Sequence, residues 1–197
     1  MRSPGSIPNT TQPTCTTRCA ASRSAPPSGF APDCNVDDFA LTPAERALLL
    51  ALNDRGVRYL VVGLGAAVLE GAPVATQDLD IWLEQVDDPR VASAARAAGG
   101  FWISGFGLQP PAFGGQGLER LDVVLTAHGL DTFDVEYANA IPREIESVAL
   151  RVLSLPRVIA SKRATNRPKD RAALPALEAT LAARESRQGE TNDGSSG

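Results

Sequence analysis

The stretch Thr76-Gln77-Asp78-Leu79-Asp80-Ile81 places two aspartates two positions apart at the start of a predicted β-strand over residues 78–84. Side chains alternate between the faces of a strand, so Asp78 and Asp80 are expected to share one face, with the aliphatic residues on the buried face. Two carboxylates this close repel each other unless a cation lies between them. The pair is therefore a suitable platform for Mg²⁺ with a triphosphate, although the two-residue spacing alone favours an alternative. The alternative is a solvated edge strand with two surface aspartates.

A third aspartate begins another apolar run. Asp122 lies in Leu121-Asp122-Val123-Val124-Leu125, where a charge is costly unless it is exposed, paired or bound to metal. If this predicted strand (121–126) lies beside strand 78–84, three carboxylates converge, as a two-metal arrangement would need. The alternatives are an aspartate at the mouth of the strand, or an ion pair with Arg120 or Arg151.

A glycine-containing turn precedes the first two aspartates. Gly63-Leu64-Gly65 follows a predicted buried strand (57–63) and precedes a predicted short helix (66–70). Backbone N–H groups at such a turn can face an anion at the start of the helix. Taken alone, however, glycine at a strand-to-helix turn is more often a steric requirement.

The order of elements predicts an α/β or α+β fold, with a small mixed β-sheet flanked by helices. Thr42-Pro43 predicts the start of the first helix, with Thr42 as its N-cap. The other predicted helices are 89–98, 155–164 and 169–184, the last interrupted or kinked by Pro175. Further short strands are predicted at 101–104 and 148–153, residues 105–117 are predicted to form a loop, and 131–138 is ambiguous between loop and helix.

Both ends of the chain differ in composition from its middle. Residues 1–37 and 185–197 are polar and rich in Ser, Gly, Thr or Pro, which predicts disordered tails around one domain at 38–184. Cys15, Cys19 and Cys34 all lie in the first tail, where incidental thiols are favoured over a disulfide framework or a zinc site. No apolar run suggests a membrane span or a secretory signal, so the expected location is cytoplasmic with no membrane partner.

Together these segments resemble the nucleotidyltransferase superfamily of the DNA polymerase β type. They are similar to its minimal members, including the nucleotidyltransferase toxins of abortive-infection toxin–antitoxin systems. The resemblance covers most of residues 57–180 and rests on the glycine turn, on 71–81, on 121–125, and on 155–163 with 167–170. The chain departs from the usual pattern at Leu64, where relatives carry Gly or Ser, and at Val74, where many carry Arg.

The resemblance implies a role for each matching residue. Asp78, Asp80 and Asp122 would be the catalytic and metal-binding carboxylates, and Asp122 would help to activate an acceptor hydroxyl. The nucleotide would be contacted by two glycines of the turn, by the segment that starts at Thr76, and by a group near the C-terminus: Gly63, Gly65, Thr76, Lys162, Arg167 and Asp170. The implied cofactor is Mg²⁺ or Mn²⁺, and the implied substrate is a nucleoside triphosphate (NTP).

Three functions remain open from the sequence. The first is an enzyme that transfers a nucleoside monophosphate (NMP) to a hydroxyl on RNA (tRNA included), a protein or a small molecule, with a toxin role and an antitoxin partner as one version. The second is a non-catalytic relative that binds nucleotide or protein as a regulator. The third is a phosphodiesterase-like metal enzyme, which is disfavoured because His128 is the only histidine. The net charge of −4 means that contacts to nucleotide or RNA depend on a local basic patch or a metal.

Overall fold

The computed structural model of the protein describes residues 39–106 and 108–193. The predicted tail 1–37, with its three cysteines, lies outside these residues, as does the segment after residue 193. Within the two described ranges, no helix combines the length and the apolar character needed to cross a membrane.

A five-stranded mixed sheet lies at the centre. In spatial order its strands are β5 (Leu121–Val124), β2 (Leu79–Leu83), β1 (Tyr59–Val62), β7 (Val148–Val152) and β6 (Ile141–Ile145). β2 runs antiparallel to β1 and parallel to β5, and β7 runs parallel to β1 and antiparallel to β6. The predicted fold class, a small mixed sheet flanked by helices, is thereby confirmed.

Six helices flank the sheet in the described part of the chain: α1 (Pro43–Asp54), α2 (Gly63–Leu69), α3 (Pro89–Ala97), α4 (Phe133–Ala138), α5 (Leu155–Thr165) and α6 (Pro168–Asp193). The predicted start of α1 is confirmed. Thr42 Oγ1 accepts the Glu45 backbone N–H at 3.0 Å, and Glu45 Oε2 accepts the Thr42 N–H at 2.8 Å. Such reciprocal caps fix the first turn and contribute about 1 kcal/mol.

The apolar faces of these helices and of the sheet form one core. Its fully buried members include Leu48 and Leu52 of α1, Leu60 and Ile81 of the central strands, and Leu155 of α5. Leu79 and Ile81 are buried, as the alternation along the predicted strand requires, so the aspartates beside them face away from the core.

The loop predicted for 105–117 is wrong at its C-terminal end, where β4 (Ala112–Gly114) pairs antiparallel with β3 (Phe101–Ile103). Gly114 allows the close approach of the Phe101 ring, because a Cβ at position 114 would lie only 2.4 Å from that ring. At the C-terminus, α6 continues past Arg184 through 185–193, where the sequence predicts a polar tail, and it passes Pro175 without ending.

Candidate active site

Asp80 and Asp122 lie side by side at one edge of the sheet. Asp80 on β2 is the register partner of Asp122 on β5, the parallel strand at the end of the sheet. Neighbouring strands are about 4.8 Å apart, so paired residues present their side chains next to each other on one face. The conditional prediction that Asp122 joins the first two aspartates is therefore met for Asp80. The alternative partners of Asp122 are engaged elsewhere, since Arg120 pairs with Glu45 and Arg151 lies over the Tyr137 ring.

Asp78 precedes β2 in a local turn that Thr76 organises. The Thr76 hydroxyl accepts the backbone N–H of Asp78 at 3.2 Å and lies 3.3 Å from the Asp78 carbonyl oxygen. Asp78 is exposed, and its side chain lines the same cleft as those of Asp80 and Asp122. Thr76 therefore holds the shape of the segment that delivers the first carboxylate, and it also lines the cleft.

Gly63 lets the first helix begin directly against the Asp80 carboxylate. It starts α2 with φ +65°, and a Cβ at this position would lie only 1.9 Å from Asp80 Oδ2. Glycine is thus required both by the backbone conformation and by the space. Gly65 is under less steric restriction, because an added Cβ there would lie at a van der Waals distance of 3.4 Å from the Asp78 carbonyl oxygen. The predicted glycine turn forms the first turn of α2 itself, so this helix begins earlier than the sequence indicates.

The three carboxylates and a basic group share one cleft of about 520 Å³. The basic side chains on its wall are Lys162, near the end of α5, and Arg167 and Lys169, at the start of α6. The structure therefore brings the predicted acidic group and the predicted C-terminal group to one place, although more than 80 residues separate Asp80 from Lys162 in the sequence.

Asp170, for which the resemblance implies a nucleotide contact, lies at the base of the cleft wall. Its side chain is completely buried, and its carboxylate accepts hydrogen bonds from Lys162 Nζ (3.0 Å), Thr165 Oγ1 (2.8 Å) and Arg167 Nε (2.6 Å). It also accepts the Arg167 backbone N–H at 3.2 Å, as an acidic residue in the first turn of a helix commonly does. Asp170 therefore holds the two basic side chains in position.

The junction between α5 and α6 creates this arrangement. Asn166 ends α5 in the left-handed conformation, with φ +49°, and α6 begins two residues later at Pro168. Glu70 anchors α6 further along, because its buried carboxylate pairs with Arg184 at 2.9 Å and with Arg143 at 2.7 Å. Ion pairs thus tie α6 to α5 near its start and to Glu70 near residue 184.

Opposite electrostatic environments surround Asp80 and Asp170. Burial raises the pKa of Asp80, and the charges of Asp122 and Asp78 raise it further, against the attraction of Lys162 and Lys169. Burial alone would also raise the pKa of Asp170, but hydrogen bonds from Arg167, Lys162 and Thr165 outweigh it and hold that pKa far below its ordinary range. Direct hydrogen bonds from basic side chains thus compensate the charge of Asp170, whereas burial is the largest influence on Asp80 and disfavours its charged form.

Three further cleft residues carry no clear signal in the sequence. Lys169 lines the wall, and its charge acts on Asp80. Thr165 binds Asp170 from the last turn of α5, a contact that depends on how the two helices pack. His128 lines the cleft from the loop after β5, where Gly129 packs tightly on α5 because a Cβ there would lie 2.5 Å from the Ala164 Cβ.

Comparison with known proteins finds similarity only among solved structures. No family model matches the chain, and no curated protein matches it. The solution structure of the antibiotic-resistance factor ANT(2'')-Ia aligns at 17% identity and TM-score 0.45, covering 76% of this chain and 94% of that one. The crystal structure of ANT(2'')-Ia in complex with adenylyl-2''-tobramycin aligns at 16% identity and TM-score 0.45, covering 72% and 95%.

A third similar structure is that of an antigenic nucleotidyltransferase-like protein from Paracoccidioides brasiliensis. It aligns at 15% identity and TM-score 0.43, covering 77% of this chain and 90% of that one. At these low identities and TM-scores, the comparisons assign neither a family nor an activity to this chain.

Proposed function

We propose that the protein is a metal-dependent nucleotidyltransferase, which transfers an NMP from an NTP to a hydroxyl acceptor on RNA, a protein or a small molecule. The observation that carries the proposal is the register pairing of Asp80 with Asp122 inside a cleft that also holds Lys162, Arg167 and Lys169. Acidic ligands for a cation and basic groups for phosphate are the two elements that such a substrate needs.

The residues present fit a divalent metal. Carboxylate oxygens are the ligands that Mg²⁺ and Mn²⁺ prefer, and Mg²⁺ commonly uses one or two carboxylates and completes its shell with water and substrate phosphates. Within residues 39–106 and 108–193, no group of three or more His, Cys, Asp or Glu side chains is close enough to hold a metal ion by itself, so substrate phosphates and water would have to complete the shell. Asp78, Asp80 and Asp122 would hold the metal in an open site. When bound, the metal would neutralise charge on the phosphates.

The transfer that we propose forms one bond and breaks one. The acceptor oxygen attacks the α-phosphorus, the bond from that phosphorus to the oxygen bridging to the β-phosphate breaks, and pyrophosphate leaves. Asp122, which is exposed to the cleft, accepts the proton of the acceptor hydroxyl. Lys162 and Arg167 bind the triphosphate, and Asp170 acts through them as a positioning residue.

Thermal unfolding with each NTP, with and without Mg²⁺ or Mn²⁺, tests the site directly. We expect an NTP and a metal together to raise the melting temperature more than either alone. Asp80→Asn should remove this increase and should lower transfer from an α-labelled NTP by roughly a hundredfold or more. Asp87→Asn is the matched control, because Asp87 is exposed and does not line the cleft. If no NTP and metal pair stabilises the wild type, and Asp80→Asn changes nothing, the proposal fails.

The second candidate is a non-catalytic protein that binds nucleotide as a regulator. Two observations favour it. No three acidic side chains of the described residues are gathered closely enough to hold a metal ion by themselves, and the bulkier Leu64 lines the cleft in the turn where the family usually carries Gly or Ser. It predicts stabilisation by NTP and metal without label transfer to tRNA, total RNA, protein or small molecules. A toxin role with an antitoxin partner stays a prediction from the sequence resemblance, which genomic neighbours and growth arrest on expression would test.

A further inference from the structure

The residue before β5 joins the two strands that carry the carboxylates. Arg120 lies two positions before Asp122, and its carbonyl oxygen accepts the backbone N–H of Leu79 at 2.7 Å. Leu79 is the residue between Asp78 and Asp80. The backbone of Arg120 therefore lies at the point where β2 and β5 meet, and a shift of this residue would move Asp122 relative to the other two carboxylates.

The side chain of Arg120 is bound at the start of α1. Its Nε donates to Glu45 Oε1 at 3.1 Å, and its Nη2 donates to Glu45 Oε2 at 2.6 Å and to the Ala40 carbonyl oxygen at 3.1 Å. A guanidinium that binds both oxygens of one carboxylate is fixed in direction as well as in position. Glu45 is completely buried, so its charge depends on this partner.

A second contact attaches the same segment to α1. The Thr42 hydroxyl, which caps the helix, donates to the Gly117 carbonyl oxygen at 2.6 Å. Gly117 has φ +85°, and an added Cβ there would lie 3.1 Å from the Ala44 Cβ. The segment that leads into β5 is therefore held against the first turn of α1 at two points, three residues apart.

The pair of Glu45 with Arg120 differs in location from similar pairs elsewhere in the described part of the chain. The other buried glutamates, Glu70 and Glu136, also pair with arginines. Of the three pairs, that of Glu45 is the one whose arginine lies within two residues of a carboxylate at the centre of the cleft. Buried ion pairs add little net stability over apolar packing, and their best-attested use is to fix how two elements meet.

We propose that Arg120 and Glu45 are positioning residues, whose ion pair holds Asp122 beside Asp80 in the geometry that a divalent cation requires. The inference rests on the proposed function, in which these carboxylates bind the metal. Neither Arg120 nor Glu45 lines the cleft, so both act through the backbone that enters β5. Replacing the partners that orient metal ligands typically lowers metal affinity 10- to 100-fold.

The test is a titration of the full-length protein with Mn²⁺, followed by the electron paramagnetic resonance signal of the free ion. We expect Arg120→Gln to weaken Mn²⁺ binding about tenfold. Because this variant leaves Glu45 charged and buried, the double variant Glu45→Gln/Arg120→Gln accompanies it. Glutamine at position 45 can still cap α1, and the double variant contains no unpaired buried charge. It should lose no more affinity than the single variant, because both break the same pair.

Arg143→Gln is the matched control. The Arg143 side chain is 38% exposed, against 36% for Arg120, and it also pairs with a buried glutamate, Glu70, at 2.7 Å. Arg143 lies on β6, at the opposite end of the sheet from β5. Arg143→Gln should therefore keep the Mn²⁺ affinity of the wild type, whatever its effect on the melting temperature.

The outcomes separate this inference from the proposed function. If the wild type neither binds Mn²⁺ nor is stabilised by NTP and metal, the proposed function fails and the inference fails with it. If the wild type binds Mn²⁺ and the double variant binds it as tightly, the positioning role alone is overturned, even where the melting temperature falls. A loss of affinity that Arg143→Gln matches also overturns it, since the effect would then be general destabilisation.

Discussion

Two kinds of aspartate line the same cleft, and they differ in what surrounds their carboxylates. Asp170 is completely buried, and three side chains donate hydrogen bonds to it. Asp80 is half-buried beside Asp122, and no described side chain forms an ion pair with it. Three side chains compensate the charge of Asp170 directly, whereas Asp80 has Lys162 and Lys169 only as more distant positive charges. This difference is the one that the proposed positioning role of Asp170 and the proposed metal-binding role of Asp80 require.

The largest expected effect follows from removing the Asp170 carboxylate. Asp170→Ala leaves Lys162, whose side chain is 12% exposed, without its buried partner. We expect a loss of about 3–5 kcal/mol in the free energy of unfolding, measured by urea denaturation. Glu178→Ala is the control, because its pair with Arg163 is exposed on both sides and should contribute less than about 1 kcal/mol. A loss no larger than that of the control would show that Asp170 does not hold the wall.

A smaller effect should follow from replacing the glycine that faces Asp80. Gly63→Ala places a Cβ where Asp80 Oδ2 now lies and forces a side chain into φ +65°. The backbone strain alone should cost about 1–2 kcal/mol. The displaced carboxylate should in addition remove the stabilisation by NTP and metal.

Gly99→Ala is a matched control for that substitution. Gly99 has φ +80° and nothing within 4 Å of its would-be Cβ, so it shares the strain and lacks the contact. If both variants keep the same response to NTP and metal, the close approach of Gly63 to Asp80 has no role in binding.

The smallest expected effect concerns Asp80 in the metal-free protein. Because burial and neighbouring carboxylates raise its pKa above the ordinary 3.8, the folded state holds this proton more tightly than the unfolded state. Stability contributed by Asp80 therefore falls as the pH rises from 3.8 through the raised pKa. Asp80→Asn should be more stable than the wild type at neutral pH without metal, and the gain should vanish at acidic pH. Melting temperatures of Asp80→Asn and of the control Asp87→Asn, measured across pH, test this prediction. A gain for Asp80→Asn that grows as the pH falls would contradict it.

Local signals in the sequence were sufficient for several elements. Thr42 and Pro43 predict the start of α1, because an N-cap and a proline at the first helical position act locally. The alternation of aspartates and aliphatic residues likewise predicts β2, and the apolar run after Asp122 predicts β5. The pairing of β2 with β5 does not follow from the sequence, because no local pattern specifies which strands become neighbours.

The elements that were missed lack such signals. β6 contains Pro142, which argues against a strand, and it is tolerated because β6 lies at the edge of the sheet. The tight turn from β6 to β7 places Glu146 and Ser147 at φ +47° and +66°, where glycine or asparagine is the usual marker. The burial of Asp170 was equally hidden, because it depends on how α5 and α6 pack around Asn166.

The position of β5 at the end of the sheet has a consequence for motion. This strand carries Asp122 and is paired on one side, with β2, whereas β1 is held between two strands. Edge elements open locally at a lower free energy than central ones, so amides of 121–124 should exchange with solvent sooner than those of 59–62. A ligand held by both Asp80 and Asp122 would join β5 to β2 and slow that exchange. The exchange rate of the β5 amides would then report whether a ligand occupies the cleft.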